Sequence, residues 1–329
     1  MLNIKRLDHY WYSQNPLSWL LLPISALFCL LSMVRRGLYR LGLLKHFTPP
    51  VPVIVIGNIS VGGTGKTPLL IELCQQLITA GYKPGVISRG YGGQSVHWPV
   101  SVTSDSLASM IGDEPLLIHC RSGCPVVVGP DRKADIDLLL SEHDCDLILS
   151  DDGLQHYRMG RSAEIAVIDG NRGFGNGYCL PSGPLREPVS RLNSVDMQVV
   201  NGGDESESSF RVEARQLNAL FTETECYRLD QFKGRKVHAI AGIGNPERFF
   251  SLLEAAGIDC IRHPFPDHYA YQMQDIRFDD PLPVLMTEKD AVKCFPFKLD
   301  NHWYVPIDVH LSETAQQRFN QIMQQVCHG

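Results

Sequence analysis

Along the chain, short apolar runs alternate with longer segments whose apolar residues recur every three or four positions. Runs at 53–56, 84–88, 126–128, 147–149 and 165–168 are bounded by glycine, proline or aspartate and read as buried strands. Between them, Leu69, Leu70, Leu73 and Leu77 keep helical spacing up to a stop at Gly81. A second helix carries Leu138, Leu139 and Leu140, and a shorter one spans 116–119. This alternation predicts an α/β fold with a parallel sheet covered by helices on both faces, and such sheets gather ligands at the carboxyl ends of their strands.

Two stretches interrupt that rhythm. Residues 17–34 hold no charge and are rich in leucine, with Lys5 and Arg6 before them and Arg35, Arg36, Arg40 and Lys45 after. A membrane-spanning helix, a helix lying in the bilayer interface and a helix packed on the protein compete for this pattern. The run is at the short end of the roughly 20 residues a span needs, and Pro23 interrupts it. The flanking basic residues favour a monotopic or peripheral anchor on an anionic surface. Residues 202–209 form a polar break. Beyond them a strand at 210–214 leads to a smaller α/β unit, with strands at 237–241, 258–261 and 284–286 and a helix at 247–256. The expected division is an N-terminal membrane-associating segment, 1–46; a phosphate-loop domain, 47–201; linker strands, 202–230; a smaller α/β domain, 231–298; and a return strand with a C-terminal helix, 299–329.

Composition narrows the class. With 329 residues, 44% hydrophobic, the chain is long enough for about two domains and a sizeable core. A net charge of −6 argues against a nucleic-acid partner held by bulk electrostatics. The ten cysteines form no C-x-x-C pair, which suits a reducing compartment and neither a zinc site nor a disulfide framework.

The strand at 53–56 runs into Ser60-Val61-Gly62-Gly63-Thr64-Gly65-Lys66-Thr67, the strand–loop–helix context of a phosphate-binding loop. Its glycines let successive N–H groups converge on phosphate oxygens, Lys66 brings a positive charge, and the Thr67 hydroxyl suits a Mg²⁺ ligand. Ser60 stands where the usual pattern has glycine. Asp151 and Asp152 follow the strand at 147–149, where phosphate-loop proteins hold the metal. Asp113, in Gly112-Asp113-Glu114-Pro115, is a plausible base for an attacking hydroxyl, although acids in a first helical turn are also favoured by the dipole alone. Arg186 lies in an irregular loop suited to neutralising phosphate charge, and His268 on a loop after a strand.

Taken in order, the phosphate loop, Ser88-Arg89-Gly90-Tyr91, Gly112-Asp113-Glu114-Pro115, Asp151-Asp152-Gly153-Leu154-Gln155-His156, Pro184-Leu185-Arg186-Glu187, Phe265-Pro266-Asp267-His268 and Thr287-Glu288-Lys289-Asp290 resemble the tetraacyldisaccharide 4'-kinase family of lipid A biosynthesis. The resemblance implies two α/β/α domains joined by a two-stranded β-ribbon linker, with the active site in the cleft. It implies ATP and Mg²⁺ as cofactors and an acylated glucosamine disaccharide 1-phosphate as acceptor, at the cytoplasmic face of the bacterial inner membrane. The enzyme is expected to act as a monomer. On this template Asp113 takes the hydroxyl proton and His268 pairs with it, Lys66 and Arg186 stabilise the transferring group, and Thr67 with Asp151 or Asp152 manages the metal. Tyr91, Arg132 and Gln155 are weaker carry-overs to phosphate or substrate.

A membrane-associated ATPase, or a switch or adaptor protein without a lipid substrate, is the other reading of such a loop. Partitioning ATPases carry a lysine where this chain has Val61, and Thr287-Glu288-Lys289-Asp290 does not match the N-K-x-D guanine reader.

Overall fold

The computed structural model describes residues 10–204, 207–221 and 226–328. Lys5 and Arg6, expected to flank the N-terminal helix, and Glu205 and Ser206 of the polar break lie outside the described residues. In chain order the elements are α1 (Pro16–Arg40), β1 (Val53–Gly57), α2 (Lys66–Thr79), β2 (Pro84–Ser88), β3 (Val100–Ser101), α3 (Ala108–Ile111), α4 (Asp113–Ser122), β4 (Val126–Val128), α5 (Arg132–Glu142), β5 (Leu147–Asp151), β6 (Ala163–Asp169), β7 (Met197–Asn201) and β8 (Ser209–Glu213). Then come β9 (Gln216–Ala219), β10 (Cys226–Arg228), β11 (Lys236–Ala241), α6 (Pro246–Ala255), β12 (Asp259–Pro264), α7 (Met273–Ile276), β13 (Val284–Thr287), α8 (Glu288–Cys294), β14 (His302–Val305), β15 (Asp308–Leu311) and α9 (Glu313–His328).

Nine strands form the larger sheet in the order β15-β8-β7-β6-β1-β5-β2-β4-β3. From β8 to β4 every pairing is parallel, and antiparallel β15 and β3 close the edges. Its central strands are buried on both faces, which explains their unbroken apolar runs. Ile54, Ile56, Leu69, Leu73 and Leu77 pack on one face together with Phe319 and Ile322 of α9, while Val53, Val55, Ile136 and Leu139 pack on the other. The smaller sheet runs β10-β9-β14-β13-β11-β12, with Phe249, Phe250 and Leu253 of α6 in its core.

The chain crosses between the sheets twice, from β8 to β9 and back from β14 to β15. The segment read as a linker thus supplies an inner strand to the larger sheet and two strands to the smaller one. The sheets are also joined helix to helix: Arg121 of α4 pairs with Glu288 of α8 at 3.0 Å and with Asp308 at 2.9 Å, and Val292 of α8 enters the larger unit's core.

Pro23 does not break α1, which continues through it for 25 residues. Only 11% of its most apolar window is buried. Trp19, Leu20, Ile24, Leu27, Leu30, Leu31 and Val34 face outward. The inner face is fixed by polar contacts: Ser25 Oγ donates to the Cys179 carbonyl at 2.6 Å, and Ser182 Oγ donates to the Ser18 carbonyl at 2.6 Å.

Candidate active site

The phosphate loop leaves β1 and enters α2 through Gly65, whose φ of +92° is open to glycine and strained for other residues. A Cβ there would lie 2.4 Å from Asn201 Nδ2, so the position excludes side chains on two counts. Gly62 also has positive φ, at +106°, whereas Ser60 is not among the positive-φ residues. The departure from the usual glycine at 60 therefore carries no backbone penalty. The Val61 amide donates to the Pro184 carbonyl at 2.8 Å, and the Arg186 amide donates to the Ile59 carbonyl at 2.7 Å. These two bonds stitch the irregular loop to the phosphate loop and bring Arg186 to it.

Asp151 is the last residue of β5, paired with Ile56 of β1, so the strand reaches further than the apolar run suggests. Its carboxylate is buried. Ser88 Oγ donates to Oδ2 at 2.9 Å, while Oδ1 has no hydrogen-bond partner. Burial, with the charges of Glu114 and Asp152 nearby, pushes its pKa up to about 6. Asp152 sits just beyond the strand at φ +47° and accepts from Arg186 Nη1 at 2.8 Å, with Lys66 Nζ 3.5 Å away. Burial raises its pKa, but Lys66 and Arg186 outweigh burial and bring it down to about 2. The two neighbouring carboxylates are thus driven apart, and the second already holds both cations of the phosphate site.

Asp113 heads α4 and is buried at 4% exposure. Across from it His268, at φ +59° on the loop after β12, places Nδ1 2.9 Å from Oδ1 and 3.0 Å from Oδ2. Burial raises the pKa of Asp113, yet the His268 hydrogen bond and the charges of Lys289, His268 and Lys293 take it below the ordinary 3.8. The same bond raises His268 above 6.5 despite its partial burial. The Tyr91 ring, 69% exposed, lies 5.1 Å from the His268 ring and lines the approach to the pair.

Gly244, on the loop after β11, ties the two halves together. A Cβ on it would sit 3.3 Å from Asp267 Oδ2 and 3.7 Å from the Gly63 amide nitrogen. The histidine loop and the phosphate loop therefore flank one point in the cleft between the sheets.

Arg132 and Gln155 both make structural contacts. Arg132 is 4% exposed, bonded to Asp135 Oδ2 at 3.1 Å and to the Asp151 carbonyl at 3.3 Å, and so braces the end of β5. Gln155 donates to the Asn58 carbonyl at 3.1 Å and to Glu187 at 2.8 Å, and supports the loop carrying Arg186. Thr67 lies half-buried in the first turn of α2.

Other contributors carried no assigned role in the sequence reading. Lys289, in the first turn of α8, lies 2.9 Å from Glu114, 3.2 Å from Asp267 and 3.9 Å from Asp113. It was visible only as part of Thr287-Glu288-Lys289-Asp290. Asn201 ends β7 and donates to the Thr64 carbonyl at 3.1 Å, and Arg172 bonds the Gly244 carbonyl at 3.2 Å beside Gly62. No sequence signal marks these, because each acts across a long stretch of chain.

Among known proteins, a family model described as tetraacyldisaccharide-1-P 4'-kinase matches residues 17–327. The chain is similar to the tetraacyldisaccharide 4'-kinase of Nitrosococcus oceani, 51% identical over 317 residues, 96% of this chain and 94% of that protein. It is 48% identical to the Methylobacillus flagellatus protein of the same name, over 95% of this chain and 94% of that one. In three dimensions it is similar to LpxK from Aquifex aeolicus, described as an "apo" form in complex with ATP, at TM-score 0.78 and 28% identity, covering 93% of this chain and 99% of that one.

Proposed function

Given that the chain belongs to the tetraacyldisaccharide 4'-kinase family and is an ATP-dependent lipid A 4'-kinase, we propose that Asp113 is the base that accepts the proton of the acceptor's 4'-hydroxyl. In the overall reaction the hydroxyl oxygen bonds to the γ-phosphorus of ATP, the bond from that phosphorus to the β–γ bridging oxygen breaks, and the proton passes to the Asp113 carboxylate. The observation that carries this reading is the buried Asp113–His268 pair, 2.9 Å apart, in which Asp113 comes from the unit that holds the phosphate loop and His268 from the smaller unit. His268 orients the carboxylate and holds it ionised. Lys66 and Arg186 neutralise charge on the transferring group; both leave their shared partner Asp152 for the nucleotide.

The donor set also suits Mg²⁺. A buried carboxylate oxygen without a hydrogen-bond partner, Asp151 Oδ1, beside the phosphate loop is the chemistry a hard cation takes, with Thr67 as the second protein ligand and Asp152 reaching it once released. When bound, the ion neutralises phosphate charge and orients the nucleotide. The exposure of Tyr91 beside His268 supports a contact with the sugar.

The outward apolar face of α1, followed by Arg35, Arg36 and Arg40, supports docking at the cytoplasmic face of the inner membrane, where an acylated acceptor is held. The reading is of a monomer with no nucleic-acid partner, with a membrane-associating segment (1–46), a phosphate-loop domain (47–201), linker strands (202–230), a smaller α/β domain (231–298) and a C-terminal return strand and helix (299–329).

The test is transfer of ³²P from γ-labelled ATP to purified tetraacyldisaccharide 1-phosphate in mixed micelles. Asp113→Ala is expected to lose about 10²–10⁴-fold in kcat, and Lys66→Ala to lose labelled lipid as well. An Asp113→Ala variant as fast as the parent would remove the base assignment.

A further inference from the structure

At the cytoplasmic foot of α1, away from the cleft, lies a pocket of ≈ 280 Å³ whose wall includes Arg36, Tyr39, Arg40, Tyr157, Arg161 and Arg191. None of the phosphate-loop residues, the Asp113–His268 pair or Arg186 lines it. Its position follows from the helix: outward apolar residues run as far as Val34, and the arginines begin one residue later.

The charges in this wall are unevenly matched. Arg161 and Arg191 share one carboxylate, Glu164, at 2.9 and 2.6 Å, and Arg191 has a second, Glu187, at 3.6 Å. Arg36 donates to a hydroxyl, Ser194 Oγ, and is crowded by Arg191 and Arg40. Burial first, and then these two neighbouring cations, lower its pKa. Asp196 is the other acid in the wall. Partly desolvated cations gathered beside a void gain most from a bound anion with several acceptor oxygens, which guanidinium groups hold in bidentate fashion. The Tyr39 and Tyr157 rings, 6.1 Å apart, stand beside this wall with Arg35 about 6 Å over each, an aromatic–basic pairing suited to the headgroup layer.

We propose that this pocket binds the phosphate of an anionic bilayer phospholipid, such as phosphatidylglycerol, held by Arg36 and Arg40 of α1, with the buried, already paired Arg191 behind them adding positive potential to the floor. The proposal rests on α1 docking in the membrane, as inferred above. The chemistry recognised is a lipid phosphate, which the substrate's own 1-phosphate would also satisfy. The bilayer lipid is favoured because Glu187 stands between the pocket and the cleft, taking Tyr157 on one side and Gln155 on the other.

The experiment measures binding of the full-length protein to vesicles of phosphatidylcholine with and without 30% phosphatidylglycerol, for the parent, Arg36→Gln/Arg40→Gln and Lys45→Gln. In parallel, KM for the lipid substrate is measured in neutral-detergent micelles. The double variant is expected to bind neutral vesicles as the parent does and to lose about tenfold or more of the gain from phosphatidylglycerol, at roughly one arginine's worth or more of surface attraction. Lys45→Gln, outside the pocket, should lose only a small part of it. Retention of the full gain by the double variant, or an equal loss in Lys45→Gln, would overturn the pocket in favour of no contact or of diffuse charge. A raised KM in neutral micelles for substrate bearing the 1-phosphate, but not for its dephosphorylated form, would assign the pocket to the substrate. Failure of the parent to bind neutral vesicles at all would strike the membrane reading of α1, a separate outcome from loss of the phosphatidylglycerol effect.

Discussion

Arg248 of α6 donates to Asn201 Oδ1 at 3.1 Å, and the amide nitrogen of that same asparagine donates to the Thr64 carbonyl in the phosphate loop. The smaller unit thereby braces the nucleotide loop of the larger one through a single side chain. Asn201 is buried, so Asn201→Ala orphans the Thr64 carbonyl at about 1–3 kcal/mol. The expected result is a rise of about tenfold in KM for ATP with a smaller effect on the lipid. Asn201→Asp keeps an acceptor for Arg248 but loses the donor to Thr64, so it should resemble the alanine variant if the loop contact is what matters.

With Asp113 as the proposed base, the Asp113–His268 pair is expected to set the pH range. The pKa of Asp113 lies below 3.8, so its protonation comes only as pH falls through that depressed value. His268 is charged below its raised pKa, and the charge-assisted bond weakens as pH rises through a value above 6.5. kcat/KM should therefore be flat between these limits, with losses outside them. In His268→Gln, burial acts on Asp113 with less opposition, so its pKa rises and the acid limb of the profile moves to higher pH. An acid limb left where the parent has it would separate His268 from the base.

Lys289 pairs with Asp113, Glu114 and Asp267, and Lys293 also stands 3.9 Å from Asp113. Lys289→Met leaves Glu114 without its 2.9 Å partner and Asp113 with only His268 and Lys293, a loss approaching the roughly 3–5 kcal/mol of a broken buried pair. Thermal unfolding should register this, and the acid limb should shift upward as in His268→Gln. Adding Glu114→Gln should recover part of the stability, since one of the uncompensated charges is then gone. The double variant measured by calorimetry tests that coupling.

Gly65→Ala meets both a positive φ and the Asn201 amide. The expectation is a loss of about 1–3 kcal/mol from backbone strain, with the phosphate loop displaced and ATP affinity, read by calorimetric titration, down by at least tenfold. Retention of parental affinity would mean that the loop is free to move without cost.

Periodicity revealed the sheet because its central strands are buried on both faces, and the phosphate loop because phosphate binding fixes residue types at short spacing. What it concealed was set by distance along the chain. Asn201 and Arg172 owe their positions to contacts made across many residues, and nothing local to either marks it. Arg132 shows the same limit: nothing in the sequence around it announces that Asp135 and the Asp151 carbonyl draw it inward. Pro23 similarly suggested a break that the helix absorbs.

The two serine-to-carbonyl bonds that pin α1 carry a mechanical consequence. A helix hung from a flexible chain lets an enzyme sample many heights over a bilayer. Here Ser18 and Ser25 fix the helix rigidly to the loop that also presents Arg186. With α1 in the membrane, the cleft stands at one set altitude above the lipid, like the stylus of a gauge. Reach is then a property of the fold: the acceptor sugar must rise to that level, and loosening the two serine bonds would let the catalytic groups drift from their target with every residue of the site intact.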